Sequence, residues 1–318
     1  MALRGKKPEA IVKRLKALFF GPAGVGKTTA AIQFPRPYLV DTERGAENEQ
    51  YAKKLNDAGG AYFFTTDPME LIVELRSLLS EKHDYQTVII DPLTIIYNDL
   101  LDKAADEVGT DFGKHKGPAD RKIKHILSLL LRLDMNVIIT SHAKAQWSRA
   151  KDAKGRDTVV SEGITFDCYG RLDYLFDLVF EVQKRGQDRV GVVRKTRLES
   201  FPEGDVFPFS YDEISRRYGK DILERAAVAV TLATTEQVLQ LKELLEKRTD
   251  ADQLLGKWLD RAQAETVDEM TADQVSKCIA YLAPAAPAPA PVAELPKAEA
   301  KTDAPKNSRA KKEVASGV

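Results

Sequence analysis

Cysteine is scarce in this chain. The 318 residues hold two, Cys168 and Cys278, far apart and without metal-like spacing to the four histidines. Neither a disulfide framework nor a zinc site follows from such a set. No apolar run approaches the roughly 20 residues of a bilayer span, and the basic residues 1–16 lack the apolar stretch of a secretory signal. Net charge is missing too. Forty-eight basic side chains balance 48 acidic ones, so no global field draws the chain to a polyanion or a membrane, and any polyanion site must be local. These absences lead to the expectation of a soluble protein in a reducing cytoplasm.

What is present begins with residues 21–28, GPAGVGKT, directly after the apolar run 15–20. G-x-x-x-x-G-K-T between a strand and a helix is a phosphate-cradling loop. Gly21, Pro22, Ala23, Gly24, Val25 and Gly26 supply backbone N–H groups that turn toward one centre. Lys27 reaches the β and γ phosphates, Thr28 offers a hydroxyl to Mg²⁺, and Thr29 continues the helix whose N-terminal dipole favours an anion. ATP and Mg²⁺ are therefore the expected cofactors.

Short β-rich runs alternate with helical stretches through the first two thirds. Residues 15–20, 37–40, 61–65, 87–91 and 136–141 read as strands, and 28–33, 68–81, 93–108 and 120–133 as helices. Val88-Ile89-Ile90 and Val137-Ile138-Ile139 lack period-2 alternation, so both faces of these strands are covered. The fold class is α/β, a mostly parallel sheet flanked by helices. Residues 178–182 and 190–193, split by the turn-like 184–188, read as a hairpin that extends the sheet. After about residue 225 only helical periodicity remains. Three apolar clusters (Leu239, Leu241, Leu244, Leu245; Leu254, Leu255, Trp258, Leu259; Val275, Cys278, Ile279, Leu282) make a small helical module, with a capping box at residues 271–274. The expected organisation is a basic segment at 1–14, a core at 15–225, a three-helix module at 234–282 and an Ala/Pro-rich disordered tail at 283–318.

A phosphate loop needs a second oxygen ligand for its metal. Asp91 ends an apolar strand, and Pro92 keeps it out of helical conformation; the bland alternative is an Asp that caps the next helix. Pro92 also occupies the position where many such ATPases carry a catalytic Glu, so the water-orienting carboxylate must come from elsewhere. Glu43, after the second strand, lies on the edge where ligands collect in open α/β sheets, unless it is simply a solvated loop residue. His142 ends the strand 136–141 on the same edge and suits a γ-phosphate sensor, although a lone histidine is often structural. The stretch 144–156 then carries Lys144, Arg149, Lys151, Lys154 and Arg156 against one acidic residue, with Trp147 inside. Cations for phosphates and an aromatic for a base are what single-stranded nucleic acid requires; the alternative is a charged loop with Trp147 tucked into the core. Residues 109–117, punctuated by glycines, are a weaker companion. Lys195 and Arg197, in RKTR at the end of the hairpin, can neutralise a transferring phosphoryl group within or across subunits, or form a solvated basic turn.

The ordered set GPAGVGKTT, VDTE, VIIDPLT, VIITSH and RKTR resembles the RecA-like ATPase core over roughly residues 10–215, and looks most like minimal phage-encoded RecA-like ATPases of single-strand annealing and recombination. The resemblance implies that Glu43 activates water, that Asp91 holds the metal, that residues 144–156 bind DNA, and that Lys195 and Arg197 reach a neighbour's ATP site. It further implies a DNA-stimulated ATPase in the cytoplasm (the host's, if phage-encoded), a homo-oligomer with its ATP site at a subunit interface, and single-stranded DNA and a single-strand-binding protein as partners. The sequence departs from RecA in placing His142 where Gln is usual, which keeps helicase-like and KaiC-like relatives open, and only about fourteen residues precede the core. The rival reading is a nucleotide-switched regulatory or scaffold ATPase acting on a protein partner.

Overall fold

The computed structural model describes residues 13–151 and 154–282. The expected tail at 283–318 lies outside these residues, as does most of the expected N-terminal segment. In chain order the elements are β1 (Lys16–Phe20), α1 (Lys27–Ala31), β2 (Pro37–Asp41), α2 (Glu49–Asp57), β3 (Ala61–Phe64), α3 (Pro68–Ser80), β4 (Thr87–Asp91), α4 (Leu93–Val108), α5 (Lys116–Arg132) and β5 (Asn136–Ser141). They continue with β6 (Ala143–Lys151), β7 (Asp157–Phe166), α6 (Leu172–Leu175), β8 (Leu178–Arg185), β9 (Asp188–Thr196), β10 (Val206–Pro208), α7 (Tyr211–Tyr218), α8 (Lys220–Leu223), α9 (Thr235–Glu246), α10 (Ala251–Ala262) and α11 (Ala272–Leu282).

Eight strands form one sheet in the order β10-β9-β8-β1-β5-β4-β2-β3. From β8 to β3 every pairing is parallel, and β9 and β10 add antiparallel strands at one edge. The near-continuous apolar strands are covered on both faces. Leu18, Val88, Ile90, Val137 and Ile139 pack with α3, α4 and α5, while their alternates Ala17, Phe19, Leu39, Ile89 and Ile138 pack with α1, α2 and the aromatic set Phe34, Phe180, Phe201, Phe207 and Phe209. Period 2 sorts each strand's side chains between two apolar layers, which is why no polar alternation is visible. This is a mostly parallel, doubly covered α/β architecture.

Two features differ from the sequence reading. Residues 144–156 fall not in a loop but mainly in an antiparallel ribbon of β6 and β7, outside the main sheet. The ribbon satisfies its backbone groups by cross-strand pairing while both faces stay largely exposed, so no hydrophobic period announces it. The helix α2 also went unread, because its buried face rests on Leu55 alone.

Helices α9, α10 and α11 surround a small core of Val238, Leu241, Leu245, Val275 and Cys278. Val238 takes the inward place expected for Leu239, which is exposed. Thr271 and Gln274 exchange reciprocal hydrogen bonds of 2.9 and 3.1 Å at the start of α11. This module is fastened to α3 and α5. Arg76 pairs with Asp268 at 2.7 Å, Ser128 donates to the Gln263 carbonyl at 2.7 Å, and His125 meets Glu269 at 2.7 Å.

Candidate functional site

Parallel register brings the carboxyl ends of four strands to one edge. Asp41 pairs with Asp91 across β2 and β4, while Phe19 and Phe20 of β1 pair with Thr140 and Ser141 of β5. Strand β5 therefore lies between the strand feeding the phosphate loop and the strand ending in Asp91. The loop itself needs glycine at Gly24 and Gly26, with φ of 74° and 95°, values that cost a side-chain-bearing residue about 1 kcal/mol or more. Helix α1 opens straight from Gly26, so its free N–H groups face the loop.

The Lys27 ammonium is held on the carbonyls of Gly21 and Pro22 at 2.8 and 3.0 Å. Burial lowers its pKa, opposed by the charges of Asp91 and Glu43. Asp91 stands beside it at the end of β4. Desolvation pushes its carboxyl upward against hydrogen bonds from Thr140 and Thr28. The Thr28 hydroxyl and the Asp91 carboxylate thus meet as two oxygen donors beside the phosphate loop, hard donors of the kind that could hold Mg²⁺. Among the described residues no cluster of three or more His, Cys, Asp or Glu forms a separate metal site.

Glu43 and His142 are brought together. Their Oε1 and Nε2 atoms lie 3.0 Å apart, both side chains about half exposed. Glu43 is positioned by Asp41, whose Oδ1 accepts from the Glu43 N–H at 3.0 Å and whose Oδ2 accepts from Ala46 at 2.7 Å. His142 is positioned by Thr94, whose hydroxyl accepts from the His142 N–H at 3.0 Å and donates to the Asp167 carbonyl at 2.8 Å. Ser141 Oγ also accepts from the Asp167 N–H at 3.1 Å. Residues 142 and 167 flank the ribbon, so one hydroxyl pair, Thr94 and Ser141, ties both of its feet to the nucleotide edge.

On the ribbon, Trp147, Arg149 and Lys151 alternate on one exposed face opposite Ser161, Val159 and Asp157. Trp147 is 62% exposed, which removes the core placement. A register shift between Gln146 and Trp147 marks a bulge at the start of that face. Lys144 sits at the root, paired with Asp167 at 3.1 Å, and Lys154 and Arg156 belong to the exposed turn end. In the companion stretch, Phe112 is fully exposed with φ of 52°.

Lys195 and Arg197 are not brought to this site. Strand β9 runs antiparallel to β8, so its end lies at the opposite edge of the sheet, where Lys195 pairs with Val179 and Thr196 with Leu178. There Lys195 donates to the Phe176 carbonyl, and Arg197 pairs with Asp177 at 3.3 Å. The cation that does reach the phosphate loop is Arg189, near the start of β9, which walls a cavity of about 190 Å³ together with Gly24, Gly26, Lys27, Thr28 and Tyr51. It went unread because it lies at the opening of a strand with no motif of its own. The signal available was topological: a hairpin whose first strand parallels β1 must turn at the edge occupied by the phosphate loop.

A family model described as an AAA domain matches residues 13–203 of the 318. The chain belongs to this AAA-domain family. The match spans the phosphate loop, Asp91, the ribbon and the β8–β9 hairpin, and the helices α9, α10 and α11 lie beyond it. Among solved structures, the RadB recombinase is similar at 21% identity and a TM-score of 0.39, over 63% of this chain and 88% of that one. No curated protein matches the sequence. Among the described residues of this AAA protein no helix is long and apolar enough to cross a membrane.

Proposed function

We propose that this AAA-domain protein is a DNA-responsive ATPase of the RecA-like kind, one that binds single-stranded DNA and promotes annealing or recombination. ATP and Mg²⁺ bind at residues 21–29 with Thr28 and Asp91 as metal ligands, and Lys27 meets the phosphates. Glu43 orients the attacking water, and His142 senses the terminal phosphate. The observation that carries the reading is the contact between His142 and Glu43 at the very root of the ribbon. The ribbon's exposed face offers Arg149 and Lys151 to a phosphate backbone and Trp147 to a base, with Lys144, Lys154 and Arg156 extending the positive path. Lys195 and Arg197, facing away from their own nucleotide edge, serve a neighbouring subunit in this reading, which places the ATP site at an interface in the assembled form. A single-strand-binding protein is a further partner in the same scheme.

The test is ATP turnover with and without single-stranded DNA for the wild type, Lys27→Ala and Glu43→Gln. DNA is expected to raise wild-type turnover, and both variants are expected to lose it, with Glu43→Gln still binding ATP. In a direct binding assay, Trp147→Ala is expected to weaken DNA affinity by about 1 to 3 kcal/mol through lost stacking. Turnover indifferent to DNA, together with no DNA bound at moderate salt, would remove the DNA half of the reading. A second reading, a nucleotide-switched scaffold for a protein partner, draws on the cavity of about 460 Å³ in the helical module, walled by Trp258, Met270, Cys278 and Tyr281 with Arg261 and Lys277 at hand.

A further inference from the structure

Arg189 stands out among the cations near the nucleotide edge because no anion holds it. Arg44 pairs with Glu47 at 3.1 Å and lies over the Phe64 ring, Arg194 is bonded to buried Glu181, and His142 meets Glu43. Among the described residues no carboxylate lies within ion-pair distance of the Arg189 guanidinium. Its side chain runs directly along the phosphate loop. A methyl group built on Gly26 would fall 2.2 Å from Arg189 Nε and 2.5 Å from its Cδ, so the glycine leaves the space that this arginine fills.

The base of the side chain is fixed. The Arg189 carbonyl accepts from the Phe209 N–H at 2.9 Å, and Arg189 pairs with Lys184 across the hairpin. Two residues on, Gly191 lies under the rings of Phe207 and Phe209, leaving no room for even a Cβ. A guanidinium on such a rigid base, exposed and without an anionic partner, is preorganised for an anion at the phosphate loop.

We propose that Arg189 is a phosphate-binding residue acting on the nucleotide held by its own subunit, a cation supplied in cis across the β8–β9 turn. The proposal rests on the reading of residues 21–29 as an ATP site. It also divides the labour of the hairpin: the turn serves the home site, and the far end, with Lys195 and Arg197, faces the opposite edge of the sheet.

The test is titration of the full chain with a fluorescent ATP analogue, comparing wild type, Arg189→Ala, Arg189→Lys and Arg185→Ala. Arg185 lies on the same hairpin end and bonds Gln183, so it controls for loss of general positive charge. Arg189→Ala is expected to weaken ATP binding about tenfold or more, the worth of a charge-assisted contact. Arg189→Lys is expected to recover part of that, and Arg185→Ala to match wild type. Turnover is then measured for Arg189→Ala mixed with Lys27→Ala subunits. A cis cation gives no recovery, because neither chain owns a complete site. Wild-type affinity in Arg189→Ala, an equal loss in Arg185→Ala, or recovery of turnover on mixing would each overturn the proposal. If the wild type itself binds no ATP analogue, the failure belongs to the reading of the phosphate loop.

Discussion

At the scale of single residues, the far edge of the sheet depends on Lys16. Its ammonium is buried and donates to the carbonyls of Leu130, Leu133 and Met135 at 3.2, 3.0 and 3.0 Å, closing the C-terminal end of α5, where carbonyls lack helical partners. Desolvation pushes the Lys16 pKa down to about 7 from 10.5, with Asp134 opposing. The unfolded chain keeps this proton up to about pH 10.5 and the folded chain gives it up near 7, so between these values the unfolded state binds more protons and stability rises with pH. Denaturant unfolding at pH 7 and pH 9 is expected to show that gain in the wild type and to lose it in Lys16→Met. That variant is also expected to be less stable by about 1–3 kcal/mol, because three carbonyls lose their donor. None of this was legible beforehand. A lysine opening an apolar strand reads as a solvated end, and its acceptors lie more than a hundred positions away.

At the scale of elements, the β8–β9–β10 edge teaches where sequence reading stopped. The two strands and the turn between them were legible from composition, but their direction relative to β1 was not, and direction alone decides which end meets the nucleotide. Lys195 and Arg197 carry the more conspicuous pattern and lie on the wrong edge for their own site, while the unremarked Arg189 lies on the right one. The edge is locked by aromatic packing: Phe180 meets Phe207 edge-on at 5.2 Å, and a Cβ on Gly191 would fall 2.7 Å from Phe209 Cδ2 and 2.9 Å from Phe207 Cζ. Gly191→Ala is expected to cost about 1–3 kcal/mol by overpacking, read as a lower denaturation midpoint with unchanged slope. The phosphate loop and Asp91 were legible because their chemistry is local: eight consecutive residues in one case, and in the other an Asp followed by Pro92 at the end of an apolar strand. The ribbon was invisible as structure because exposed strands have no buried face to imprint a period.

At the scale of the whole molecule, the contacts that fasten the helical module to the ATPase core include one buried carboxylate. Glu269 is 2% exposed, accepts from His125 at 2.7 Å and from the Glu265 N–H at 2.9 Å, and its own carbonyl accepts from Arg132. Burial alone would raise its pKa, yet the hydrogen bonds from His125 and the Glu265 N–H, with the charge of Arg76 nearby, hold it below the usual value of 4.5, so its contribution is present above that pH and lost as acid protonates it. Glu269→Ala is expected to weaken docking by about 2 kcal/mol, seen as faster proteolysis between the core and the module at neutral pH. That variant should also lose part of the acid sensitivity of the wild type. The module's three helices were legible from periodicity, but not the face that meets α3 and α5, because the residues that fasten it are polar. The ribbon has a mechanical side as well. Its nine-residue strand β6, at about 3.3 Å per residue, makes a stalk of roughly 30 Å, clamped at its feet by Thr94 and Ser141. A stalk held that way is a lever: a force on its tip delivers torque to the peptide of His142, and a small rotation there sweeps the tip through many ångströms.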